Sequence, residues 1–356
     1  MFSPRAYGLS RTVRRGTLAA LLIACLQHPS AAEPTPDDVH HDPVAALPAT
    51  PTPWIDLGTA PLLGPSDAAS DVSEAPPPRD HKLAATLTLG GIYAGFATWT
   101  YFAWYRKHKP LSQFKWGGDG WLGSQTYAGG ADKFGHAWAT MSLARAGTEL
   151  LYQWGGFDRL TSTLVATALS EALFIGVEVK DGFYYEFSFS DLTGDTAGAL
   201  VALVLSLSPR LDELFDYRVE YWPSHEYRHQ LDGGNVNVAE DYSGETYLLA
   251  FHLGGLHTLR DARWGGFTRF VDVAVGFGTR GYKPDPPGRE PDYPHRQELS
   301  IGLSLNVQGL SDWLFEGRSR PAKKIGHGLF EVFNAGYLPA ASWQRSPSGT
   351  VMMDGG

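Results

Sequence analysis

Six ionisable side chains interrupt the most apolar helical stretches of this chain. Asp132 and His136 open one stretch, Glu171 and Glu178 sit in the next, and Asp191 and Asp195 open a third. Burying an ionised group without a partner costs several kcal/mol. These groups must therefore meet one another, a metal ion or a water-filled cleft, and that requirement limits how the three stretches can pack.

Spacing places the groups on faces. Asp132 and His136 are i, i+4, as are Asp191 and Asp195, while Glu171 and Glu178 are i, i+7. Gly198, one turn beyond Asp195, permits a close helix approach. Three polar faces of this kind can converge in a bundle. Carboxylates with one imidazole suit a divalent ion such as magnesium, manganese or zinc, with His136, Asp132 and Asp195 as ligands. Such an ion can activate water for hydrolysis. Without it, neighbouring carboxylates shift each other's pKa and can act as acid and base.

A purely structural network stays open beside these readings. Asp191 and Asp195 lie where acids meet the positive end of a helix dipole. Asp132 can serve as an N-cap with Lys133 solvated, and Glu171 or Glu149 can pair with Arg145. A ligand or peptide groove is the third alternative. The other short motifs carry less. Gly117-Gly118-Asp119-Gly120 reads as a turn, because no strand–helix signature for phosphate binding adjoins it.

The 356 residues carry a net charge of −9, which gives no reason to expect a nucleic-acid partner. Aromatic residues make up 13%, and with the apolar runs this fits a protein that touches membrane lipid. Arg5, Arg11, Arg14 and Arg15 precede a short apolar run, Thr17 to Ala24, and Ser30-Ala31-Ala32 follows as a cleavage site. Residues 1–32 therefore read as an export signal. The single cysteine, Cys25, follows Leu22-Ile23-Ala24, which looks like the lipobox of bacterial lipoproteins. Acylation at Cys25 and loss of Cys25 by cleavage after Ala32 both remain open.

Residues 33–80, rich in proline, alanine and small polar residues, read as a disordered tether. Leu83 to Tyr105 has no charged residue and is long enough to cross a bilayer, but Gly90-Gly91 weakens it as a helix. We expect it to pack within the domain or lie in the membrane interface, with a transmembrane helix as the alternative. Helices follow at about 132–154, 158–179 and 190–208, with Ser190 as the N-cap of the last and residues 180–188 as an aromatic connector. Past Tyr242 the apolar period becomes two. Leu299, Ile301, Leu303, Leu305 and Val307 alternate with Glu298 to Gln308, and Val271, Val273, Val275 and Phe277 do likewise. Weaker strands are expected at 247–256 and 329–338. The alternation also resembles outer-membrane strands, yet about four strands are too few for a single-chain barrel.

The order Asp132-Lys133-Phe134-Gly135-His136, Glu178-Val179-Lys180-Asp181-Gly182-Phe183, Ser190-Asp191-Leu192-x-x-Asp195-x-x-Gly198 resembles the YfiM-like predicted periplasmic lipoproteins, domain of unknown function 2279. Longer members continue with a segment like Asp241 to Tyr247 and then alternating strands, so the resemblance spans roughly residues 80 to 340. The three helices alone loosely resemble VanZ-like membrane proteins. Both resemblances imply a cell-envelope location and supply no reaction.

The expectation is an α+β protein, a membrane-associated helical bundle followed by a small amphipathic antiparallel sheet. Its parts are the signal (1–32), the tether (33–80), a helical domain with the Asp/His/Glu motif (81–240), a β region (241–345) and a flexible tail (346–356). Two functions fit. One is a periplasm-facing, membrane-associated envelope protein with a structural or interaction role. The other is a metal-dependent hydrolase acting on an envelope lipid or lipid-linked glycan.

Overall fold

The computed structural model describes residues 81–106, 108–118, 120–232, 241–262, 265–283, 294–314, 328, 331–346 and 351–355. The export signal, Cys25, the tether and Asp119 lie outside the described residues.

The fold is α+β. Helix α1 (Lys82–Thr100) continues through a π turn, Tyr101–Tyr105. It buries Ala85, Leu89, Phe96, Trp104 and Tyr105 and leaves Leu83, Leu87 and Ile92 exposed, so it packs by one face. Ala85 and Leu89 rest on Leu151, at the end of the next helix. Helices α2 (Ala131–Glu149), α3 (Arg159–Tyr184) and α4 (Phe189–Leu207) form the bundle. Gly130 precedes α2 with φ +85°, a left-handed turn that favours glycine, and Gly156 at φ +73° ends the π turn after it. Asp158 caps α3 by accepting from the Thr161 amide at 2.9 Å. Ser188, not Ser190, caps α4, accepting from the Asp191 amide at 3.2 Å. Among the described residues, α3 and α4, rather than α1, are the helices long and apolar enough to cross a membrane, by length and composition alone.

Strands β1 (Trp116–Gly117) and β2 (Phe187–Ser188) make a short parallel pair beside the bundle. The main sheet has seven strands: β3 (Phe215–Tyr221), β4 (Glu245–His252), β5 (Val271–Arg280), β6 (Arg296–Leu305), β7 (Phe333–Asn334), β8 (Tyr337–Arg345) and β9 (Val351–Gly355). Their order is β7-β3-β4-β5-β6-β8-β9. The β3–β7 pair is parallel and the others antiparallel, so the sheet is mixed. It is also larger than expected. It starts at Phe215, before the expected boundary at 241, and takes in residues 351–355, where a flexible tail was expected. Val307 and Gln308, expected in a strand, open a short helix, Val307–Leu314.

Cross-strand register separates two faces. Val219, Tyr247, Phe277 and Leu299 share one face, as do Tyr217, Leu249, Val275 and Ile301. The helices cover part of this apolar face. Phe134 of α2 stacks on Phe277 with ring centroids 4.5 Å apart, and the Tyr217 hydroxyl donates to the Phe134 carbonyl at 2.9 Å. One core thus joins bundle and sheet through Trp138, Met141, Phe174, Ala202, Val219 and Tyr247. The opposite face carries small and polar residues, Asp272, Ala274, Gly276, Ser300 and Ser304, all of them buried. Tyr337 reaches over them, donating to Ser300 Oγ at 3.0 Å.

Candidate functional site

Close helix packing builds the site. A Cβ at Gly194 would meet the Lys133 carbonyl at 2.6 Å, and one at Gly198 the Ala137 carbonyl at 2.1 Å. With glycine at both positions, the first turns of α4 lie directly on α2. Asp191 and Asp195 then face Lys133 and His136.

The Lys133 ammonium bridges Asp132 Oδ2 at 2.6 Å and Asp191 Oδ1 at 3.1 Å. His136 Nδ1 lies 2.9 Å from Asp195 Oδ1 and 3.9 Å from Glu178 Oε1. Thr140 Oγ1 donates to the same Asp195 oxygen at 3.0 Å, and the Ser188 amide donates to Glu178 Oε2 at 3.2 Å. Asp181 accepts from the Tyr105 hydroxyl at 2.7 Å. All seven ionisable groups are buried, from Asp195 at 0% exposed to Lys133 at 6%.

Of the expected residues, Asp132, His136, Glu178, Asp191 and Asp195 do come together. Glu171 does not join them. It is half-buried two turns away, accepting from Thr196 Oγ1 at 2.7 Å. Neither Glu171 nor Glu149 pairs with Arg145, which reaches Asp212 at 2.6 Å and also Glu331, while Glu149 pairs with Arg159. Asp132 lies inside the first turn of α2 rather than capping it, and Lys133 is buried rather than solvated.

Two participants were not expected. Asp181 joins because α3 runs on to Tyr184, through the segment expected to be a connector. Tyr105 joins from the π turn after α1.

Burial opposes charge on His136, but Asp195 and Asp191 overcome it and hold its pKa well above the ordinary value. Burial pushes Glu178 well up, reinforced by Asp191 and Asp181. Asp181 is pushed up to about 7 by burial, against the hydrogen bond from Tyr105. Carboxyls thus outnumber cations in a low-dielectric space. Such a set can share protons or surround a cation. Atoms of His136, Glu178 and Asp195 that could ligate an ion lie within 4.8 Å of one another. Asp132, expected as the third ligand, is instead engaged by Lys133, and Glu178 stands beside His136.

The sheet holds a second cluster, which sequence reasoning missed. Arg218 joins Asp216 and reaches Asp272 at 3.0 Å. His252 bridges the same acids, Nε2 to Asp216 at 3.0 Å and Nδ1 to Asp272 at 2.8 Å. Asn306 donates to Asp272 at 2.9 Å. Burial works against charge on both His252 and Asp216, yet the hydrogen bonds to Asp216 and Asp272 hold His252 up at about 9. Arg218 and His252 hold Asp216 down to about 2. The signal was available as strict alternation of Asp216, Arg218 and Glu220 with apolar neighbours. The sheet also carries a cavity of about 300 Å³, lined in part by Glu220, Arg280, Glu298 and Tyr337; neither this cluster nor His136 lines it.

A family model described as "Predicted periplasmic lipoprotein (DUF2279)" matches residues 118–207, well under half of the chain. That stretch contains all of the helical cluster except Tyr105, so the similarity rests on the segment that builds the site. It relates the chain to cell-envelope proteins of unknown function. No curated protein and no solved structure matches the chain significantly.

Proposed function

We propose that the chain is a non-enzymatic cell-envelope protein that lies against a membrane from the periplasmic side and serves as a structural or interaction element. One observation carries this reading, the direction in which the sheet alternates. Beyond the part that α2 covers, the apolar side chains face outward. Leu249 is 52% exposed, Leu303 52% and Leu338 74%, with Val275, Leu299, Ile301 and Leu305 between them. Polar and small residues fill the inside, around Leu248, Ala250 and Ala274. A soluble sheet would reverse this, and an uncovered apolar patch spanning several strands marks a lipid or protein contact. Leu164, Leu200 and Val204 add exposed apolar surface on the outer sides of α3 and α4.

The test is alkaline carbonate extraction of envelopes from cells expressing the full chain. We expect the protein to stay with the membrane pellet. A Leu303→Asp, Leu338→Asp double variant should move into the supernatant while keeping its near-UV circular dichroism. Full release of the unaltered protein would end the membrane reading. Palmitate labelling that depends on Cys25 would add an acyl anchor to the same picture, whereas an unlabelled protein would leave the apolar faces as the means of attachment.

A metal-dependent hydrolase acting on an envelope lipid or lipid-linked glycan draws on His136, Glu178 and Asp195. Every group in that cluster is 6% exposed or less, which leaves little room for a lipid head group to reach them. The structural reading therefore comes first.

A further inference from the structure

We propose that His136, Glu178 and Asp195 bind one small borderline divalent cation, zinc or manganese, that ties α2, α3 and α4 together. Each residue comes from a different helix, and their ligating atoms lie within 4.8 Å of one another. A second observation points to a ligand independently of this spacing. Asp195 is 0% exposed, and its Oδ2 receives no hydrogen bond from any described residue, although Oδ1 receives them from His136 and Thr140. A buried carboxylate oxygen left in that state is costly unless a cation or proton meets it.

Charge points the same way. Among the described residues, Asp132, Asp181, Asp191, Asp195 and Glu178 face Lys133 and His136 and, beside Asp181, the less buried Lys180, and Lys133 is already shared by Asp132 and Asp191. A divalent ion offsets more of the surplus than a lone proton does.

The donor set selects the ion. One imidazole with two carboxylates fits zinc or manganese, whereas calcium prefers all-oxygen shells of six or more ligands. The surrounding hydrogen bonds already orient the ligands, Thr140 on Asp195 and the Ser188 amide on Glu178. Because the ligands must be deprotonated, binding releases protons. This inference is independent of the membrane reading, since it concerns only the interior of the bundle.

The experiment uses the full chain in detergent, stripped with chelator and titrated with zinc or manganese salts. Its readouts are calorimetry and elemental analysis after dialysis. We expect saturable binding of about one ion per chain. Affinity should fall about tenfold or more in both Asp195→Asn and Glu178→Gln, near-isosteric changes whose folding is checked by near-UV circular dichroism. His225 and His229, exposed and one turn apart on a short helix, are the obvious adventitious site, and His229→Gln should leave the stoichiometric ion in place. Absence of saturable binding to the folded unaltered chain overturns the proposal. So does an ion that survives both carboxyl substitutions, or one lost with His229→Gln.

Discussion

Among the described residues two histidine–carboxylate clusters are buried, and they solve the same problem in opposite ways. In the sheet, Asp216 and Asp272 meet Arg218 and His252, two acids for two cations, and both imidazole nitrogens face a carboxylate. In the bundle, five acids meet Lys133 and His136, with the half-buried Lys180 beside Asp181. Burial is equally deep in both. Depth alone therefore does not mark a site. Charge balance does, because a closed network leaves nothing for a ligand to supply, whereas a surplus of like charge in low dielectric requires an outside partner or bound protons.

The contrast breaks most sharply at Arg218. Arg218→Met leaves two buried carboxylates facing a single imidazolium, and we expect it to cost about 3–5 kcal/mol in denaturant unfolding. A loss below about 1 kcal/mol would mean that the sheet network is not a closed unit.

Acidity separates the clusters next. His252 has a folded pKa of about 9, above its ordinary 6.5, so its stabilisation is complete below about pH 6.5 and disappears as pH rises through 9. Asp216 is lowered to about 2 from 3.8, so its share is complete above about pH 4 and disappears as pH falls through 2. The opening free energy of β3 to β5, from amide exchange corrected for its intrinsic pH dependence, should be largest between those limits, with up to about 3 kcal/mol lost at the alkaline end. A constant opening free energy from pH 6 to 10 would contradict the charged His252 between Asp216 and Asp272, with Arg218 beside it.

The same substitution in the two places sharpens the comparison further. Asp272→Asn should cost about 2 kcal/mol whether or not chelator is present. Asp195→Asn should be neutral or stabilising in chelator, because it removes one of several like charges, and destabilising only when zinc is available. Equal costs for both in chelator would erase the distinction. The smallest effect is at the N-terminus of α4. Ser188→Ala removes the cap on the Asp191 amide and should cost about 1 kcal/mol in thermal unfolding.

Much of this architecture was legible. The three bundle helices, the faces carrying Asp132, His136, Asp191 and Asp195, and the close approach at Gly198 all follow from spacing. So do the alternations in β5 and β6. The misreadings have identifiable causes. Lys180-Asp181-Gly182 reads as a helix stop, yet Gly182 is inside α3, where a Cβ would meet the Phe114 ring at 2.3 Å. There glycine serves packing rather than termination, and Asp181 was lost from the site with it. Glu171 and Glu178 share a helix face, but two turns separate them along the axis, and only Glu178 is level with His136. β3 hid behind charge, because a strand with Asp216, Arg218 and Glu220 on one side looks exposed until Asp272, His252 and Gln308 meet that side. Long-range partners such as Tyr105 for Asp181 or Glu331 for Arg145 leave no local trace.

The most direct test is amide hydrogen exchange on the full chain in detergent, with zinc and with chelator. We expect chelator to speed exchange in α2, α3 and α4 around His136, Glu178 and Asp195 and to leave β3, β4 and β5 around Arg218 and His252 unchanged. Identical exchange in both conditions, or equal acceleration in bundle and sheet, would contradict the division between an open cluster and a closed one.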